Sequence, residues 1–190
     1  LWANRGMVTP YTQAQRLYLA GNFPQARDVL QKALHDTPDD VNMLTLLGNT
    51  YRQLGDVDSS ERVLTDAVKL KQNTHFALYG FGRTLLVKGQ YSNAADAFRS
   101  ALDAGAPPIA WLDYAEALYR AGADNPVLLE ALRNGQEAAL REPHRALLAA
   151  YLEHRVGDAP TPAPSLVSQG LAYWQANAER FAHTPYGAAL

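Results

Sequence analysis

Small and bulky apolar positions recur along this chain at a fixed interval of 34 residues, with Gly48 and Gly82 one interval apart. Gly21, Gly55 and Gly89 keep the same spacing, and so do the pairs Ala26/Ala33, Ser60/Ala67 and Ala94/Ala101. Tyr51 follows Gly48 by three positions, as Leu85 follows Gly82. A repeat of this length dictates architecture: each unit is a helical hairpin that cannot bury its apolar face alone, so neighbours stack. The pattern predicts helices at roughly 10–20, 23–36, 40–54, 57–71, 75–88, 91–104, 108–121 and 126–140.

Turn and cap residues punctuate these helices. Thr9-Pro10 places a capping hydroxyl before a proline at the first helical position. Asn22, with Gln25 three residues on, reads as a capping-box variant. Asp36-Thr37-Pro38-Asp39-Asp40 ends one hairpin and opens the next, while Gly55 and Gly89 suit short turns inside hairpins. Small residues at the crossing positions set how closely the paired helices approach, with Gly48 and Gly82 where the second helix crosses the first.

The fourth hairpin is irregular. Trp111, Tyr114-Ala115, Leu118 and Gly122 fit a first helix if the third repeat is one residue short. After Asn125-Pro126 the small-residue register is lost, and Val127, Leu128, Leu129, Leu132 and Leu140 are expected to carry the apolar stripe. Residues 143–156 read as a further helix with Leu147, Leu148, Tyr151 and Leu152 on its apolar side. Three prolines at alternate positions then make 157–164 a stiff linker. Ser165 is expected to cap a last helix whose stripe is Val167, Leu171, Trp174, Ala178 and Phe181. That stripe needs a surface, either the end of the helical stack around Leu147 and Tyr151 or a groove.

Composition narrows the function classes. Hydrophobic residues make up 47% of the 190 positions, ordinary for a chain that buries a core. A net charge of −2 from 17 basic and 19 acidic residues argues against a nucleic-acid or anionic-membrane surface. With no cysteine, disulfides and thiol chemistry are excluded. The five histidines, His35, His75, His144, His154 and His183, contain no pair at the spacing of a helical zinc site. Neither a phosphate-binding glycine loop nor a nucleophile elbow occurs. No apolar run is long enough to span a bilayer. A start at Leu1 without Met or a signal-peptide layout points to a piece of a longer chain or a processed form.

The motifs resemble those of the tetratricopeptide repeat family. The second hairpin supplies Leu44, Leu47-Gly48, Tyr51, Gly55, Leu64 and Ala67. The third supplies Leu78, Phe81-Gly82, Leu85, Gly89, Ala94, Phe98 and Ala101. The first is looser, with Ala14 and Leu17 in the glycine and tyrosine slots, then Gly21, Ala26, Leu30, Ala33 and Pro38 in place. The resemblance implies an all-α, right-handed superhelical solenoid over 7–140, in hairpins of about 7–40, 41–74, 75–107 and 108–140. Residues 1–6 form an N-terminal extension, 143–156 an additional helix, 157–164 the linker, and 165–190 a C-terminal helix and tail.

It also implies that the first helix of each hairpin lines a concave groove where a peptide lies. The residues so mapped are Val8, Tyr11, Gln15 and Tyr18, then Asn42, Thr45, Asn49 and Arg52. Phe76, Tyr79, Arg83 and Val87 follow from the third hairpin, and Ile109, Leu112, Glu116, Tyr119 and Arg120 from the fourth. Gln15, Asn49, Arg83 and Glu116 would form a polar ladder for an extended backbone, flanked by aromatic residues of the type that supplies binding hot spots. Core and groove stripes adjoin on the same helices, so packing between hairpins is the competing role for each aromatic. The chaperone-tail clamp of this family is not matched, because Tyr11 and Gln15 replace its Lys and Asn.

The expected function is non-catalytic: an interaction module or scaffold that binds a protein or peptide, without cofactor, metal or nucleic acid. One alternative is a docking segment of a larger, membrane-anchored or glycan-modifying enzyme. Another is a self-associating module, a homo-oligomer whose groove its own C-terminal helix fills. The expected compartment is the cytoplasm, or the periplasm or a membrane surface if an upstream anchor exists.

Overall fold

The computed structural model describes residues 8–70, 74–157 and 159–190, and among them every regular element is helical. In chain order these are α1 (Pro10–Leu19), α2 (Phe23–Asp36), α3 (Val41–Gln53), α4 (Val57–Lys69), α5 (Thr74–Val87) and α6 (Tyr91–Asp103). They continue as α7 (Ala110–Ala121), α8 (Asn125–Ala139), α9 (Pro143–Val156), α10 (Pro164–Arg180) and the single turn α11 (Pro185–Ala188). The bounds agree with the cap-and-period reading to within about two residues; position 71 of the fourth expected helix lies outside the described residues. Two compact units divide the chain, Leu1–Phe81 and Gly82–Leu190, with the boundary inside α5.

Local chemistry explains where the helices start. Thr9 accepts from Thr12 N, Asp40 from Met43 N at 2.9 Å and Asp56 from Ser59 N at 3.1 Å, each satisfying an orphan donor of the first turn. Two expected caps are corrected. Asn22 makes no side-chain cap bond, and its backbone (φ −83°, ψ 60°) departs from the extended conformation that the capping Thr9 and Asp40 adopt. Ser165 does not cap α10 either, since Pro164 already opens that helix and Ala163 precedes it. Helix ends follow the glycine period. At Gly55 (φ 81°), Gly55 N bonds Arg52 O and Asp56 N bonds Tyr51 O, both at 3.0 Å, a left-handed closure that glycine adopts without strain.

In the first unit α1 pairs with α2, α2 with α3 and α3 with α4. Ala14, Leu30, Met43 and Leu47 form a buried cluster against which Tyr11, Val29, Leu34 and Tyr51 pack. A side chain at Gly48 would run into Leu64, itself fully buried on α4. Ser60 stands in the small slot beside it and donates to Gly48 O at 2.7 Å.

The second unit keeps the same logic. A Cβ at Gly82 would lie 2.8 Å from the ring of buried Phe98. The expected stripe of α8 is corrected: Val127 is 46% and Leu140 73% exposed, whereas Leu128, Ala131, Leu132, Gly135 and Ala139 are buried. The reason is register. Leu132 and Gly135 stand one interval after Phe98 and Ala101, because the turn before α8 restores the residue missing from the third repeat. A Cβ at Gly135 would come within 3.1 Å of Leu112 N, so a small residue marks this crossing too.

The last long helix lies on the one before it. Gly170 faces Leu147 and Pro143 O at the α9–α10 crossing, and Trp174 Nε1 donates to His144 O at 3.0 Å. His144 stacks on Tyr173 with centroids 3.7 Å apart. Beyond α10 the chain turns at buried Phe181 and Thr184 and returns to α7.

Candidate functional site

Each unit presents its own share of the expected first-helix face. In the first unit Gln15, Asn42 and Phe76 are open to solvent, Phe76 at 53% exposure, and Val8 is also exposed. Tyr11 is half-buried against the core cluster, so packing takes much of its ring. Tyr18 meets Phe23 edge-on at 5.3 Å and its hydroxyl accepts from Gln53 Nε2. Arg52 is only 4% exposed. Its Nη1 donates to Asn49 Oδ1 at 2.9 Å and to Gly80 O at 3.2 Å, tying α3 to the middle of α5. Asn49 and Tyr79 are half-buried. Thr45 is buried, and its Oγ1 lacks a hydrogen-bond partner among the described residues.

In the second unit Arg83, Ile109 and Tyr119 are half-buried, whereas Val87 and Leu112 belong to the core. Glu116 and Arg120 lie one turn apart on α7, joined by a 2.9 Å bond from Arg120 Nε to Glu116 Oε1. Glu116 is 2% exposed, so it is not an open rung of a ladder. What covers the pair is Tyr186 of α11, 5% exposed. Its hydroxyl donates to the Glu116 carboxylate, and its ring lies beneath the Arg120 guanidinium at 4.6 Å. Tyr91 flanks the same guanidinium at 5.9 Å. Thr184 Oγ1 accepts from Gly187 N at 3.2 Å and donates to Phe181 O at 2.8 Å, shaping the turn that carries Tyr186.

Electrostatics follow from this enclosure. Burial raises the Glu116 carboxyl above its ordinary 4.5, with Arg120 pulling it back and Asp113 adding to the rise. Burial is the largest influence on Arg120 and works to lower it, but Glu116, Tyr186 and Tyr91 together outweigh it and hold the guanidinium charged. Tyr186 is pushed well above 10.0, first by burial and then by the carboxylate beside it. Beside the covered pair a cavity of about 570 Å³ remains, lined among others by Tyr119, Leu147, Leu148, Leu171, Trp174 and Leu190. Tyr119 meets Tyr151 edge-on at 6.2 Å along its rim.

Tyr186 and its neighbours are the site residues that the sequence pattern missed. The one available signal was Thr184-Pro185, the same cap-and-proline pair as Thr9-Pro10, followed by an aromatic residue. Among the described residues no group of three or more acidic or histidine side chains could hold a metal ion, and no helix is long and apolar enough to cross a membrane.

Comparison with known proteins agrees with this architecture. Tetratricopeptide repeat profiles match residues 17–79 and 79–124, together more than half of the chain. The human tetratricopeptide repeat protein 7A is 32% identical over 93 residues, which cover 49% of this chain and 11% of that protein. The chain thus spans about a tenth of the length of the curated relatives it matches. Among solved structures, a double mutant of MamA RS-1 superposes with a TM-score of 0.66 at 20% identity, covering 88% of this chain and 93% of that one. YrrB, described as a TPR protein with an unusual peptide-binding site, gives 0.61 at 15% identity, covering 95% and 92%. At such identities these structures speak for a shared fold, the tetratricopeptide-type solenoid. Repeat period, hairpin crossings and profile matches coincide, and the chain belongs to the tetratricopeptide repeat family.

Proposed function

We propose that the protein is a non-catalytic interaction module that takes up peptide segments of partner proteins on the first helices of its hairpins. The observation carrying this reading is that the α7 face holds a short segment, 184–190, through one buried tyrosine. A helix face that accommodates its own chain in this manner has the relief and polar groups to accommodate another. In the first unit Gln15, Asn42 and Phe76 offer open polar and aromatic positions of the kind such docking uses. The near-neutral balance of charge favours a protein partner over nucleic acid. Neither a cofactor nor a metal is part of this reading, and its setting is the cytoplasm.

The test is photo-crosslinking of the whole chain in its host, with the crosslinker at Leu19, an exposed position one turn beyond Gln15 on α1. Specific adducts that vanish in a Gln15→Ala, Asn42→Ala, Phe76→Ala triple variant are expected. If the triple variant melts like the parent yet captures the same proteins, the reading is wrong.

A further inference from the structure

Three features of the second unit match three features of the segment that covers it. Glu116, fully buried, receives the phenol of Tyr186, and Arg120 caps the ring face at 4.6 Å. Gly89, at φ 77°, forms a shelf for Pro185: a Cβ there would lie 2.8 Å from the proline Cβ. All three receiving residues belong to the repeats themselves, whereas the segment lies outside them. A phenol and a proline ring are thus read by a carboxylate, a cation and a glycine-made gap.

The segment is held through Thr184, Tyr186 and Gly187, which are buried, and through Pro185 on Gly89. Ala182, His183, Ala188, Ala189 and Leu190 are exposed, and α11 is a single turn. The segment's inward side chains are Thr184 and Tyr186, and Ala189 and Leu190 line the neighbouring cavity. Freeing Tyr186 requires that the Thr184 turn reopen and that its contacts with Glu116 and Arg120 pass to the incoming segment. Exchange with a second copy would demand more, because only residues 181–183 join Thr184 to the end of α10, too short a tether to carry the segment into another copy's slot unless the two helix ends meet. That helix is itself fixed to α9 through Trp174 and Gly170. The geometry therefore favours a segment from another protein over a domain-swapped partner.

We propose that the Gly89, Glu116 and Arg120 face is a receptor slot for Pro-Tyr segments of a partner protein, which residues 184–190 occupy until that partner displaces them. The inference rests on the peptide-docking reading above and adds the chemistry of the ligand and its internal competitor.

The probe is a labelled peptide matching residues 181–190, followed by fluorescence anisotropy with the whole chain. An internal segment filling the slot nine-tenths of the time lowers apparent affinity about tenfold, so Tyr186→Ala should bind the peptide about tenfold tighter than the parent. A Phe version of the peptide should bind more weakly, because the buried carboxylate loses its phenol partner. Arg120→Ala, added to Tyr186→Ala, should abolish the gain. If Tyr186→Ala retains the parent's helicity and binds no tighter, the segment is a permanent part of the fold and the proposal falls.

Should Tyr186→Ala fail to fold, amide exchange on the parent decides. Saturating peptide should speed exchange at Gly187, whose N–H is held by Thr184 Oγ1, and unchanged exchange overturns displacement. A dimer seen by light scattering that the peptide dissolves would assign the slot to a second copy and overturn the partner assignment. Crosslinking at Leu19 that depends on Gln15, Asn42 and Phe76, without any peptide binding, would remove this inference alone and leave the docking reading standing.

Discussion

Ser60 donates its hydroxyl to the carbonyl of Gly48 at 2.7 Å, across the crossing of α3 and α4. Both residues are buried, and the bond occupies the position where Ala26 and Ala94 stand in neighbouring hairpins. A hydroxyl is tolerated in that slot because the closely approaching backbone supplies an acceptor. Ser60→Ala should therefore cost about 1 kcal/mol, the net worth of one hydrogen bond. Gly48→Ala should cost about 1–3 kcal/mol, because its Cβ collides with Leu64. Urea unfolding of the two variants checks the ordering, with the glycine variant the less stable.

Thr45 invites the opposite outcome. Its hydroxyl is buried and lacks a hydrogen-bond partner among the described residues, while its shape matches valine. Thr45→Val should stabilise the protein by about 1 kcal/mol by removing an unsatisfied polar atom. A lower melting temperature for this variant would contradict that account.

Glu116 should leave a signature in the pH dependence of stability. Burial raises its pKa in the folded state above 4.5, so the folded chain holds this proton more tightly than the unfolded one. Its contribution to stability is full below the unfolded value and is lost as pH rises through the folded value. Glu116→Gln removes the titration. The melting temperature of the parent minus that of the variant should therefore rise on acidification from about pH 7 to about pH 5.

His144 should act in the other direction. Burial, aided by Arg145 and Arg83 and opposed by Glu142, lowers its pKa below 6.5. The unfolded chain then binds the proton first, and stability falls as pH drops through 6.5 toward the folded value. Because His144 O holds Trp174 Nε1, tryptophan fluorescence reports the α9–α10 contact directly. Relative to His144→Gln, the parent should lose melting temperature between about pH 7.5 and about pH 5.5.

The close crossings were legible in the sequence because a side chain is excluded at each: Gly48 meets Leu64, and Gly82 meets Phe98, one interval apart. The cap at Asn22 was misread because residue type alone does not fix the backbone angle of the capping residue, which at Asn22 is ψ 60° rather than extended. The α8 stripe was misread because one residue missing before α7 is restored in the next turn, which a strict period conceals. Arg52 and Glu116 were placed on the correct helices, but their burial depends on Gly80 and Tyr186, 28 and 70 positions away. No periodicity announces such partners. Gln15, Asn42 and Phe76, which are solvent-exposed, are the positions where a surface reading from the sequence is sufficient.

Gly89 serves two structures with one missing methyl group. Its backbone needs the left-handed conformation to end α5, and its bare α-carbon lets Pro185 approach. Any substitution would strain the turn and block the proline together, so the shelf cannot be adjusted without injury to the repeat. Variation in how firmly the slot holds its occupant must therefore fall on Glu116, Arg120 and Tyr91, whose side chains can change while the turn stays intact. The part of the site that cannot drift is the part the repeat already enforces.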